Sequence, residues 1–264
     1  MRQVVGIVIA LCALGLVLGT LQRLWPGVAG MRRSWRELKT DLVYWLFAPL
    51  VTKPLARVAA VIGLMPMLWL LGRPFDHDQL LHGFGPAREL PGFVQIAIVA
   101  VMGDFIGYWM HRAFHCGWLW RCHAVHHAAR ELTWMSAARV HPLNDALTRM
   151  VQAIPFVAAG FSPLVIYAYL PFLTFYAILL HANLRWDFGP LRYVFASPTF
   201  HRWHHSDDAH ARDRNFAGLL PLWDWLFGTL YLPHGERPHS FGVQGAAVPP
   251  AILAQLVYPF QRNR

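Results

Sequence analysis

Three short stretches of this sequence crowd histidines together: His111-Arg-Ala-Phe-His115, His123-Ala-Val-His126-His127 and His201-Arg-Trp-His204-His205. On a helix, side chains four residues apart are neighbours on one face, with Cβ atoms about 5–6 Å apart. An H-x-x-x-H pair can therefore grip one ion, as in H-E-x-x-H zinc sites. In H-x-x-H-H, positions i, i+3 and i+4 fall within roughly 100° of the circumference, so one turn offers three imidazoles to one side. A lone histidine in such a setting reads as a core or interfacial residue. Eight in three windows read otherwise, because stacked titratable rings without a cation leave buried donors and acceptors mismatched. Tetrahedral zinc takes four ligands, so eight imidazoles point to two metals with several ligands each. Nitrogen donors suit Zn, Cu, Fe or Ni and do not choose among them.

Further candidates lie outside these boxes. His181 ends an apolar stretch in LLHANLRW, and an ionisable residue at the end of a span is a functional candidate; the competing reading is an interfacial helix-end histidine. His141, in ARVHPL, reads equally as a ligand, an outer-shell donor or a turn residue before proline. Asp104 and Tyr108 precede His111 by seven and three residues, so on a continuous helix they share its face. Asp104 is expected to accept the Nδ1–H of a ligating histidine and fix its tautomer, or else to coordinate directly. Asp207 and Asp208 read as a solvated turn, with an outer-shell role as the alternative. His77, His82, His210, His234 and His239 follow no repeated spacing and are expected to face solvent.

The elements that must position these residues are membrane helices. The chain is 56% hydrophobic and only 14% charged, far from the usual quarter-charged soluble profile, and its mean hydropathy is +0.34. Its 12 Trp, 17 Phe and 8 Tyr exclude a disordered chain. Residues 4–21 form an uncharged run long enough to cross a bilayer; a signal peptide is the second reading. Residues 42–71 are apolar but interrupted at Thr52-Lys53-Pro54, and are expected to cross once. A Gly/Pro-rich loop from Gly72 to Pro91 leads to a third span beginning near Gly92 and running into the first histidine box. Residues 146–180 suit a helical hairpin.

This pattern predicts an all-α polytopic membrane protein of about four to five transmembrane or re-entrant helices with a histidine-rich cytoplasmic cap. Its parts are N-terminal membrane helices (1–91), a histidine-box catalytic region (92–235) and a C-terminal tail (236–264). Arg23, Arg32, Arg33, Arg36 and Lys39 mark the cytoplasmic side in an inner or plasma membrane. That leaves the N-terminus external and the histidine boxes inside. The net charge of +9 is scattered rather than striped, which argues against nucleic acid as a partner. Cys12, Cys116 and Cys122 form no CxxC and read as small core residues.

The order of the three boxes, with LWRCHAVHH, ARVHPLND, SPTFHRWHHSDD and NFAGLLPLWDWLFGTLY around them, resembles the membrane fatty acid hydroxylase and sterol desaturase superfamily over roughly residues 95–232. The resemblance implies a non-haem di-iron oxygenase that hydroxylates or desaturates a lipid drawn from the bilayer, of fatty acyl, sterol or alkylglycerol type. Two iron ions, oxo- or peroxo-bridged during turnover, would use O2 as co-substrate. The ligands it implies are His111, His115, His123, His126, His127, His201, His204 and His205, with His181 as the additional histidine between the second and third boxes. No haem-binding His-Pro-Gly-Gly element or thiolate cluster is present, so electrons are expected from a separate reductase. A divalent-metal transporter is the alternative, but transporters place ligands near the midplane on broken helices, whereas these boxes flank the spans. A membrane zinc hydrolase would need a Glu base among the ligands, and none lies inside a box.

Overall fold

The structure is a computed structural model and describes residues 2–70, 72, 77–243 and 248–261. Its long helices are α1 (Arg2–Leu24), α2 (Trp35–Phe47), α3 (Lys53–Leu70), α6 (Gly92–Phe114), α7 (Gly117–His127), α8 (Pro142–Ala158) and α9 (Pro163–His181). Shorter ones are α4 (His77–His82), α5 (Gly85–Arg88), α10 (Pro198–His204), α11 (Leu222–Leu226) and α12 (Ile252–Val257). Among the described residues, β pairing is confined to two isolated bridges, Pro26 with Leu184 and Ser206 with Phe241. Three helices start by one local device, a cap followed by proline, at His141-Pro142, Ser162-Pro163 and Ser197-Pro198. Proline at the first helical position loses nothing, because that N–H has no intrahelical partner.

Four stretches are long and apolar enough to cross a membrane: Arg2–Leu24, Trp35–Leu70, Gly92–Phe114 and Leu164–His181. Their outer faces are bare hydrocarbon, with Leu16 72% and Trp69 80% exposed, surface that water would penalise. The chain is an integral membrane protein. The interruption expected near residue 52 is a π-helical turn over Ala48–Thr52, where the Lys53 N–H reaches back to the Ala48 carbonyl. Pro49 and Pro54 remove two N–H donors there, and the helix runs on without breaking. The expected hairpin is present as α8 and α9. Its first arm, α8, leads from the histidine layer to the far end of α9. It is a 17-residue amphipathic helix, about 25 Å long, and it packs along α3, with Gly63 letting Met150 press against the α3 backbone. Residues 73–76 of the expected loop lie outside the described residues; the remainder of it carries α4 and α5.

All the spans deliver one end to the same layer. Leu18, late in α1, packs with Trp134, Ile178 and Leu184, so α1 and α9 finish together. At the opposite end Val99 packs with Phe156, Phe161 and Tyr169. There Gly160 holds a φ of +85° against the Phe84 carbonyl, where any Cβ would collide. The residues after 235 fold back on the histidine layer: Trp118 and Arg121 donate to the Pro259 and Tyr258 carbonyls at 2.8 and 3.1 Å. Cys122 is buried as expected, while Cys12 and Cys116 are exposed.

Candidate metal centre

At the common end of α6, α7, α9 and α10, nine imidazoles form two clusters, each with its ring nitrogens within 4.8 Å of one another. One contains His111, His115, His123, His127 and His204; the other contains His126, His181, His201 and His205. Each H-x-x-H-H turn is shared. The i and i+4 rings of the second box join the first cluster and its i+3 ring joins the second, while the third box does the reverse. The clusters touch, with the His127 and His205 rings stacked at 4.3 Å.

The hydrogen bonds define which nitrogens are bare. Nδ1 of His111, His126, His181 and His204 lies 2.7–2.9 Å from the carbonyls of Phe216, Arg139, Ala177 and Arg214. A carbonyl only accepts, so each of these Nδ1 atoms carries the proton and leaves Nε2 as a lone pair. His123 Nδ1 faces Asn144 Oδ1 at 2.8 Å, and His115 Nδ1 faces Asp213 Oδ1 at 2.9 Å. The free nitrogens then point at one another: Nε2 to Nε2 is 3.0 Å for His111–His123 and 3.0 Å for His126–His181, and His201 Nε2 lies 3.2 Å from His181 Nε2. Nε2 of His115, His127 and His204 is buried without any partner. Burial, and then the neighbouring rings, hold His123, His126, His127, His201, His204 and His205 well below the ordinary imidazole range, so the rings are neutral.

Lone pairs facing each other in a water-poor layer repel unless a cation lies between them. Two imidazole nitrogens sharing one ion at about 2.1 Å must lie within about 4.2 Å of each other, and these pairs do. The donor sets therefore fit two metal ions, one per cluster.

The family model for fatty acid hydroxylases matches residues 96–229, half of the chain and all three boxes. The chain belongs to the fatty acid hydroxylase family. The chain is 29% identical over 250 residues to the ornithine lipid hydroxylase OlsE of Rhizobium tropici, covering 94% of the present chain and 73% of that protein. It is 34% identical over 128 residues to the alkylglycerol monooxygenase of Homo sapiens, covering 48% of this chain and 28% of that one. A very-long-chain aldehyde decarbonylase, GL1-6 of Oryza sativa subsp. japonica, is 32% identical over 138 residues, 21% of its length. No solved structure gives a significant match. Membership makes the protein an O2-dependent lipid oxidoreductase of an iron-using family, and these relatives give no support to a transporter.

The structure corrects the readings of Asp104 and Tyr108 and decides among those of His141. Asp104 does not orient a ligating histidine. It lies two helical turns, about 10 Å, before His111, and its carboxylate accepts the N–H groups of Leu219 and Leu220 at 2.8 Å and the Trp223 indole at 3.0 Å. Tyr108 reaches no imidazole either; its hydroxyl meets Thr229 Oγ1 at 3.0 Å and accepts from Arg112. His141 caps α8: its Nδ1 accepts from the Leu143 N–H and its Nε2 donates to the Leu256 carbonyl, which leaves no nitrogen for a metal. The five histidines expected in solvent, from His77 to His239, are exposed, and Asp208 sits in an exposed turn, accepting from the His210 N–H.

Several supporting residues carry no histidine-like signal. Asp224 is fully buried and accepts from the Phe216 and Ala217 N–H groups and from Thr229 Oγ1. With Asp104 and Asn215 it clamps the loop whose Phe216 and Arg214 carbonyls orient His111 and His204. Arg139, whose carbonyl orients His126, is anchored by buried Asp41 and by Glu37 of α2. Asn144, Asn215 and Asp224 all lie in flanks that mark the family, ARVHPLND and NFAGLLPLWDW; that flank pattern is the only sequence signal for them.

Proposed function

We propose that the two clusters hold a di-iron centre and that residues 92–235 form the catalytic region of a membrane lipid hydroxylase. His111, His115, His123, His127 and His204 would hold one iron, and His126, His181, His201 and His205 the other. When bound, the irons would supply O2 activation and two-electron attack on an unactivated C–H bond. The protein's own part is positioning and exclusion. Backbone carbonyls of Phe216, Arg139, Ala177 and Arg214 hold four Nδ1 protons and aim the opposite nitrogens inward; the clamped 214–220 loop and α7 keep water from the rings. The observation that carries this reading is the convergence of nine imidazoles in two clusters, with bare ring nitrogens facing each other at 3.0 Å.

One relative, 73% of whose length this chain covers, is an ornithine lipid hydroxylase, which supports hydroxylation of a polar membrane lipid over desaturation. Exposed Arg23, Arg32, Arg36 and Lys39 lie at the end of α1 that meets the histidine layer, which supports a cytoplasmic position for that layer and docking of an external reductase there.

Mössbauer spectroscopy and metal analysis of the purified full chain test the proposal, together with 18O2 labelling of membrane lipids. Two coupled irons per chain and label in a lipid hydroxyl are expected. His126→Ala and His204→Ala should each lose iron and activity, while His239→Ala should lose neither. Stoichiometric zinc without iron would overturn the assignment.

A further inference from the structure

Two apolar segments outside the spans have no protein partner for their outward faces. In the first, Leu191, Tyr193, Val194 and Phe195 are 41–56% exposed. In the second, Leu222, Trp225, Leu226 and Phe227 are 38–66% exposed. Neither segment is long enough to cross a membrane: one is a 3-10 turn over Gly189–Tyr193 with the residues after it, the other is α11 and its C-cap.

Their depth along the spans is set by hydrogen bonds. Asp104 of α6 binds the Leu219 and Leu220 N–H groups and the Trp223 indole, about 10 Å on the membrane side of His111 at 1.5 Å per residue. The Phe105 ring meets Trp223 at 5.0 Å, and Trp109 meets Phe227 at 4.8 Å. Tyr176 of α9, five residues or about 7.5 Å before His181, donates to the Ala196 carbonyl at 2.5 Å. The Ala196 N–H in turn donates to the Leu219 carbonyl at 2.8 Å, joining the two segments. Both are thus held beside α6 and α9 below the level of the histidines, where the exposed apolar faces of those helices continue.

The polar margin matches an interface. Arg192 lies over the Tyr193 ring at 5.1 Å and Arg112 over the half-exposed Trp109 at 5.5 Å. Arg214 donates to the Gly228 carbonyl at 2.7 Å, at the end of the second segment. Aromatic rings with guanidinium groups at their water-facing edge are the composition of a bilayer boundary, and the basic margin suits phosphate headgroups.

We infer that these two segments form one apron that is embedded in the bilayer's interfacial layer beneath the histidine clusters, with lipid as its partner. The inference rests on α6 and α9 being spans and not on the metal assignment.

Nitroxide labelling of the full chain in phosphatidylcholine/phosphatidylglycerol vesicles tests it. Single labels at Val194→Cys and Leu226→Cys, with His239→Cys as the aqueous reference, are made after replacing Cys12, Cys116 and Cys122. At 194 and 226, collisions with O2 should exceed those with a water-soluble nickel chelate, reversing the ratio found at 239. Nickel access at 194 and 226 equal to that at 239 would overturn the inference, and so would exclusion of both reagents by a second copy or another protein. In the chain with its native cysteines, brominated lipid should quench fluorescence that Trp225→Phe removes. An unquenched Trp225 contribution would also refute it.

Discussion

Asp224→Asn separates the support of one cluster from the other. The carboxylate holds the Phe216 and Ala217 N–H groups at 2.8 Å each and the Thr229 hydroxyl at 2.6 Å. Asparagine keeps the shape, but its amide nitrogen must face one of these donors. One hydrogen bond to a charged group, about 1.5–3 kcal/mol, is lost and one buried donor is left unpaired at about 1–3 kcal/mol, so the clamp weakens by about 2.5–6 kcal/mol. Only part of this reaches the Phe216 carbonyl and His111. Loss of an outer-shell partner typically lowers metal affinity about 10–100-fold. The four-histidine cluster takes its orientation from the Arg139 and Ala177 carbonyls on other elements, so it should hold its metal. Chelator challenge with metal counting over time should show one iron leaving faster and the second at the wild-type rate. Two irons leaving together, whether both slowly or both fast, would refute the argument that this loop serves the five-histidine cluster.

Two further outcomes follow from residues near the centre. His141→Ala should cost about 1 kcal/mol through the lost α8 cap and leave the iron content unchanged; iron loss measured by metal analysis would restore it as a ligand. Asp41→Asn strips the buried Arg139 of one of its two carboxylates, and breaking a buried pair costs about 3–5 kcal/mol. A lower thermal-inactivation midpoint and weaker iron retention are expected, and neither should follow from Asp207→Asn, a part-exposed carboxylate on the other side of His205.

The convergence of the box histidines was legible because helical periodicity converts a spacing of three or four residues directly into proximity. His181 was legible from its place at the end of a span. The division of each H-x-x-H-H turn between two clusters was not, since it depends on how α7 and α10 face each other across the layer. Asp104 was read on the correct helix face but assigned the wrong neighbour: the loop at 218–220, remote in sequence, reaches it first. His141 looked like its ligating relatives because composition does not distinguish an imidazole that caps a helix from one that binds an ion. The first arm of the hairpin, α8, carries a polar face that its apolar run did not announce: Asp145, Arg149 and Gln152 turn toward α3 and α6.

His126 and His127 are consecutive in the chain yet serve different clusters, as do His204 and His205. The two clusters are therefore joined through single peptide units at two points, and a peptide unit is planar and holds adjacent Cα atoms at a fixed spacing. Any shift of α7 or α10 therefore carries rings of both clusters along together, coupling the two clusters more tightly to each other than to the looser motions of the surrounding lipid-facing helices.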